Sequence, residues 1–117
     1  MSSTPAKTPP RNRPNSVASY VEASDSHHIA PYAGGGDVTA TFAKLKSVVQ
    51  GMERVTVEVD TPAYFRFVTR SKFFRFPDIC ECWADDDVIH LKFAAVYGYR
   101  DFDANRKRAE WLRGQLG

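Results

Sequence analysis

The stretch from Val88 to Arg113, VIHLKFAAVYGYRDFDANRKRAEWLR, constrains the fold more than any other part of the chain. Residues 88–97 form an apolar run that predicts a strand. Gly98 and the two aspartates Asp101 and Asp103 break it, and helical spacing begins at Ala104. A strand feeding directly into a terminal helix fixes where the sheet ends and what covers it. At about 100° per residue, Ala109, Trp111, Leu112 and Leu116 share one arc, with Arg106, Lys107, Glu110 and Arg113 opposite. Asn105 and Arg108 fall inside the apolar arc. A guanidinium on a packed face needs partners, because burying it alone is very costly. With Asp78 and Asp101 both at strand ends near where the helix begins, the expectation is a structural clamp of Asp78, Asp101, Asn105 and Arg108. In it Arg108 grips Asp78 or Asp101 through its planar fork, and Asn105 bonds the chain around Gly98. Asp101 and Asp103 are placed to cap the helix and favour its dipole.

Upstream, Asp37 is a good N-cap for Val38, Phe42, Leu45, Val49 and Met52 at helical spacing, an amphipathic helix of about four turns. RVTVEVD (54–60) and AYFRFVT (63–69) alternate as strands, broken by Thr61-Pro62. Residues 78–84 read as a third strand, and Asp85, Asp86 and Asp87 as an acidic turn into the fourth. The predicted fold is α+β: a four-stranded antiparallel meander sheet with an N-terminal and a C-terminal helix packed on it, in the order α-β-β-β-β-α. Residues 14–31 show little periodicity and read as extended, loop-like chain, and Gly34, Gly35 and Gly36 as a hinge. Residues 1–13 hold three of the seven prolines and no apolar face. They are expected to form a flexible Pro-rich basic arm beside a single domain at 14–117.

Charge and cysteine usage narrow the function classes. The net charge is +2, and Lys7, Arg11 and Arg13 place three positive charges in the arm. The remaining 13 basic and 14 acidic residues leave the domain near neutral, so nucleic acid is an unlikely partner. Cys80 and Cys82, two apart, point to one face of one strand, poor geometry for bonding each other. They also lack the further ligands a zinc site needs and read as small core residues. His27-His28 and the three aspartates give no ligand pattern, so neither metal nor cofactor is expected. No apolar run is long enough to span a membrane, and MSSTPAKTPPRNRPN lacks the apolar core of a secretory signal. The expected location is the cytoplasm or an equivalent organelle interior, or an exported or lumenal space if this is a mature form.

The segments RPNSVAS, IAPY and YGYRDFDANRKRAEWLR resemble the bacterial and plastid family of domains of unknown function 1499. The likeness runs from about Pro14 to Leu116 and includes Pro14, Asn15, Ile29, Pro31, Asp78, Gly98, Tyr99, Asp101, Asn105, Arg106, Arg108 and Glu110. Asp78 and Asp101, the expected partners of Arg108 in the clamp, thus both match the family pattern. The chain departs from the pattern at Ser16, where the family usually has Cys. It departs again at Lys92, Phe93, Ala95 and Val96, which replace Arg, two Ser and a second Arg. Ile79 replaces one of a pair of Asp, and Arg66 stands where His is frequent. The resemblance implies no activity, and the departures remove most of the polar strand face that relatives carry.

An enzyme needs a nucleophile or base held by a second group. Asp78, Glu81, His90, Asp101 and Arg108 are the ionisable candidates, and the sequence assembles no triad from them; no catalytic residue is assigned. The expected function is a non-catalytic accessory or binding subunit of a larger protein assembly. Its contact would be Arg70, Lys72, Phe73, Phe74 and Arg75, aromatic anchors ringed by basic residues. The same Phe residues could instead be core. An alternative function is small-ligand binding or catalysis by the polar cluster around Asp78, Asp101 and Arg108. A third is nucleic-acid contact through residues 70–76.

Overall fold

A computed structural model describes residues 4–117. The elements run β1 (Ser16–Ala18), β2 (Tyr32–Ala33), α1 (Val38–Gln50), β3 (Val55–Asp60), β4 (Tyr64–Arg70), β5 (Pro77–Ala84), β6 (Val88–Ala95) and α2 (Ala104–Leu116). Strands β3 to β6 form an antiparallel meander. The sheet has six strands rather than four, however, because β1 and β2 both pair antiparallel with the outer edge of β6. Ser16 stands opposite Ala94, and Tyr32 opposite Ile89. The expected order is thus corrected to β-β-α-β-β-β-β-α, with two strands ahead of the first helix. Strands of three and two residues are too short to show an alternating pattern. They are needed all the same, since β6 would otherwise present an open edge of unpaired amides and carbonyls.

Alternation along the strands divides the sheet into two faces. Phe65 and Phe67 of β4, Cys80 and Cys82 of β5, and Ile89, Leu91 and Phe93 of β6 point toward the helices. There they meet Phe42, Leu45 and Val49 of α1 and Ala109 and Leu112 of α2. Each fully buried Phe or Leu contributes roughly 1.5–3 kcal/mol, which makes this layer the main source of stability. Both thiols are free and buried, and burial pushes the Cys80 thiol up to about 12. Asp37 caps α1 by accepting the Ala40 amide at 3.1 Å. Gly34 is required by close approach: a Cβ there would lie 2.4 Å from the Asp87 carbonyl oxygen that its amide bonds. Trp111, expected on the packed face of α2, is instead half-exposed, and Asn105, Ala109 and Leu112 form the buried stripe.

The opposite face carries Tyr64, Arg66, Ile79, Glu81, Trp83, His90 and Lys92. Residues 4–13 of the expected arm have no regular structure, yet they make specific contacts here; residues 1–3 lie outside the described chain. Trp83 donates its indole N–H to the Pro5 carbonyl at 2.8 Å. Lys7 pairs with Asp85 at 3.2 Å, and Lys92 donates to the Thr8 hydroxyl at 3.0 Å. Tyr20 packs edge-on against Trp83 and His90. Trp83 is only 1% exposed as a result of this layering.

Candidate functional site

Three groupings of polar or exposed residues could carry a function. The first is the expected clamp, whose four members the fold brings together. Arg108 Nη1 lies 3.1 Å from an Asp78 carboxylate oxygen and also donates to Asn105 Oδ1. Asn105, fully buried, donates to Asp101 at 3.0 Å and to the Asn15 carbonyl at 3.2 Å. The bond to Gly98 comes from Asn15 rather than Asn105: Asn15 Nδ2 donates to the Gly98 carbonyl at 2.8 Å. Asp101 alone does the capping, accepting the Asp103 amide at 2.9 Å and the Asn105 amide at 3.2 Å. Asp103 makes no capping bond, because it sits in the left-handed region at φ 63°. A single nitrogen of Arg108 makes both contacts, so the guanidinium fork is not used on a carboxylate. Burial raises the Asp78 carboxyl above its ordinary range, and the facing Arg108 charge only partly opposes this.

These groups do not line a common cavity. Arg108 borders a wide groove of about 710 Å³ between the end of α1 and α2, together with Met52, Arg54 and Trp111. Asp101 borders a separate cleft of about 200 Å³ with Pro14, His27 and Arg106, and Asp78 borders neither. A small molecule in either space would touch one end of the cluster only.

The second grouping was not legible in the sequence. Ser19 Oγ lies 2.9 Å from His90 Nδ1, and His90 Nε2 lies 3.6 Å from Asp85. The residue types are those of a hydrolytic triad, but the serine is buried and its hydroxyl already accepts the Leu91 amide at 2.8 Å. None of the main cavities borders Ser19 or His90. Burial, reinforced by Lys7, lowers the His90 pKa against the pull of Asp85, favouring the neutral ring that can accept the Ser19 proton. The arrangement ties β1's trailing chain to β6 and leaves no room for a substrate. Arg106 and Arg113 were also missed, since their arc of α2 reads as solvated. Arg106 donates to the Ser26 and His28 carbonyls at 2.9 and 2.8 Å. Arg113 donates to the Ala30 and Pro31 carbonyls at 2.6 and 2.9 Å.

The third grouping is the end of the molecule where β4 leaves the sheet, β5 enters and β6 leaves. Phe73, Phe74 and Phe76, which could have been core, are exposed: Phe73 by 83% and Phe74 by 75%. Phe74 and Phe76 stack at 5.4 Å, and Lys72 lies 5.6 Å from the Phe73 ring centre. The turn that presents them is held by its own bonds. The Phe76 amide donates to Ser71 Oγ at 2.9 Å, and the Arg75 amide to the Ser71 carbonyl at 3.2 Å. Next to it, the loop after β6 exposes Tyr97, Tyr99 and Phe102, joined by the bond from the Val96 amide to the Pro77 carbonyl. Among the described residues, every non-glycine residue with positive φ lies at this end: Arg54, Arg75, Phe102 and Asp103. Such conformations cost of order 1–3 kcal/mol each and cluster where function requires them.

The fold and these groupings define a two-layer α+β domain, one sheet covered by two helices on one face and by extended chain on the other. The model of the family described as protein of unknown function (DUF1499) matches residues 8–116, and the chain belongs to that family. No curated protein and no solved structure matches it. Among the described residues no helix is long and apolar enough to cross a membrane.

Proposed function

We propose that this chain is a non-catalytic binding domain that docks onto another protein through the aromatic end built by Arg70, Lys72, Phe73, Phe74 and Arg75. The observation that carries the reading is that end itself. Three phenylalanines and Tyr97, Tyr99 and Phe102 stand exposed on two adjacent loops that hold strained backbone. Large rings kept in water oppose solubility, and a rigid aromatic cluster rimmed by Arg and Lys suits the centre of an interface. On this reading Asp78, Asp101, Asn105 and Arg108 form a structural clamp that sets the loop after β6 rather than a reacting centre. Nucleic-acid contact is less favoured, because the 13 basic and 14 acidic residues beyond the arm leave the domain near neutral.

Site-specific photo-crosslinking tests this in cells producing the full chain. A crosslinker at position 73 should give one or a few discrete protein adducts, which a crosslinker at Glu22, in the exposed chain after β1, does not give. Phe74→Ser with Phe76→Ser should abolish those adducts and leave the thermal midpoint unchanged. Adducts to nucleic acid, or none above the position-22 control, would refute protein docking.

A further inference from the structure

The chain laid over the open face of the sheet does not cover it evenly. Residues 5–9 and Tyr20 close over Trp83 and His90, and beside them lies a cavity of about 210 Å³. Its floor is apolar, made by Ile79 of β5 and Ala94, Ala95 and Val96 at the end of β6. Arg11, Arg66, Lys92 and Glu81 form the walls, and Ser16 of β1 closes the base.

The charges in this space are unevenly matched. Arg66 uses Nε on Glu58 at 2.7 Å and stands 4.0 Å from Glu81, whose carboxylate also accepts the Tyr64 hydroxyl at 2.6 Å. Lys92 donates only to neutral groups, the Thr8 hydroxyl at 3.0 Å and the Pro9 carbonyl at 3.4 Å. Among the described residues neither Lys92 nor Arg11 has a carboxylate partner. Ser16 is 7% exposed, and its hydroxyl is buried with no hydrogen-bond partner. Native structures rarely leave a buried hydroxyl so. Burial lowers the pKa of the half-buried Lys92; Glu81, opposite it in the sheet, works against this, and Arg11 adds to it, a balance that an anion between Lys92 and Arg11 would shift.

We infer that this cavity is a binding site for a small amphiphilic anion, a carboxylate carried on a short apolar chain. The head group would lie between Lys92 and Arg11, with the chain on Ile79, Ala94 and Val96. The volume is below the ~300–1,000 Å³ of sites for drug-sized ligands, which restricts the chain to a few carbons. Glu81 stands against a dianion such as phosphate, since it adds a negative charge to the same wall. The site shares no side chain with the aromatic end, so it stands or falls apart from the docking proposal.

The test is a titration of the isotope-labelled full chain, followed by amide NMR, with sodium hexanoate, 1-hexanol and inorganic phosphate in separate arms. Hexanoate should shift Ser16, Ile79, Ala94 and Ala95 saturably, and hexanol should bind about tenfold more weakly or worse. Lys92→Gln and the surface variant Arg11→Gln should each weaken hexanoate by about tenfold, and Lys107→Gln on the exposed side of α2 should not. Equal binding of hexanol, phosphate binding without hexanoate binding, no saturable shift, or full affinity in folded Arg11→Gln would each overturn the assignment.

Discussion

At the scale of single residues, Arg108 and Asp78 determine how the sheet end is held. Both keep a fifth or less of their side-chain surface in water, so an unpaired partner is still costly. Arg108→Ala should lower stability by roughly 2–4 kcal/mol in urea denaturation, somewhat under the ~3–5 kcal/mol of a fully buried pair. Arg108→Lys should cost about half as much, because one nitrogen makes both contacts and an ammonium can reproduce them. Arg108→Met with Asp78→Leu should return to within about 1–2 kcal/mol of the native chain. A double variant as unstable as Arg108→Ala would show that the pair contributes more than mutual neutralisation. The pH dependence follows from the raised Asp78 carboxyl. A carboxyl whose folded pKa exceeds its unfolded value binds its proton more tightly when folded, so its contribution falls as pH rises through the folded pKa. The stability of the native chain relative to Asp78→Asn should therefore decline as pH rises from the unfolded value, about 3.9, through the raised folded pKa. A difference that grows in favour of the native chain over that range would mean that the Arg108 charge outweighs burial.

At the scale of elements, α2 both covers the sheet and fastens distant chain. Its apolar stripe packs on β6, Asn105 holds the chain before β1, and Arg106 and Arg113 hold the carbonyls of residues 26–31. Arg113 also lies 5.0 Å from the Tyr32 ring centre, while Tyr32 donates its hydroxyl to the Ala109 carbonyl at 2.7 Å. Arg106→Gln with Arg113→Gln should raise amide exchange across residues 26–33 by roughly 1–3 kcal/mol of lost protection. Exchange in β4 and β5 should stay as it was; uniform loss over the whole sheet would mean that these bonds support the entire fold. The sequence made the meander legible because 55–60, 64–70 and 88–95 alternate or run apolar with turn residues between them. It also marked Asn105 and Arg108 as polar groups on a packed arc. It hid β1 and β2, whose pairing depends on an edge some 55 to 80 residues away. It hid Arg106 and Arg113 too, because a guanidinium bonding backbone carbonyls requires no complementary side chain for a reader to notice.

At the scale of the molecule, the sheet is covered on both faces, and one cover is extended chain. Nothing in Pro5 announces a partner, since a carbonyl oxygen is present at every residue, and Thr8 offers only a common hydroxyl. Deleting residues 1–9 removes the Pro5 bond to Trp83, the Lys7–Asp85 pair and the Thr8 contact to Lys92. The thermal midpoint should fall by roughly 5–10 °C, as expected for a loss of about 1–2 kcal/mol in a domain of this size. Tryptophan emission should shift to longer wavelength as Trp83 is wetted, with the already half-exposed Trp111 as a steady background. An unchanged midpoint and spectrum would mean that the segment leaves the sheet in solution.

The pairing of β1 with β6 has a consequence for synthesis. Ser16 and Ala94, its partner, lie at opposite ends of the chain. At about 5–20 residues per second, Ala94 is made roughly 4–16 seconds after Ser16. Residues 14–33 must therefore wait, their carbonyls bonded to water, until β6 and α2 have been made. The last helix to emerge carries the arginines that collect them. A chain truncated before Ala104 would thus keep the residues of β3 to β6 but lack the arginines that fasten its front end, the form a protease would cut first.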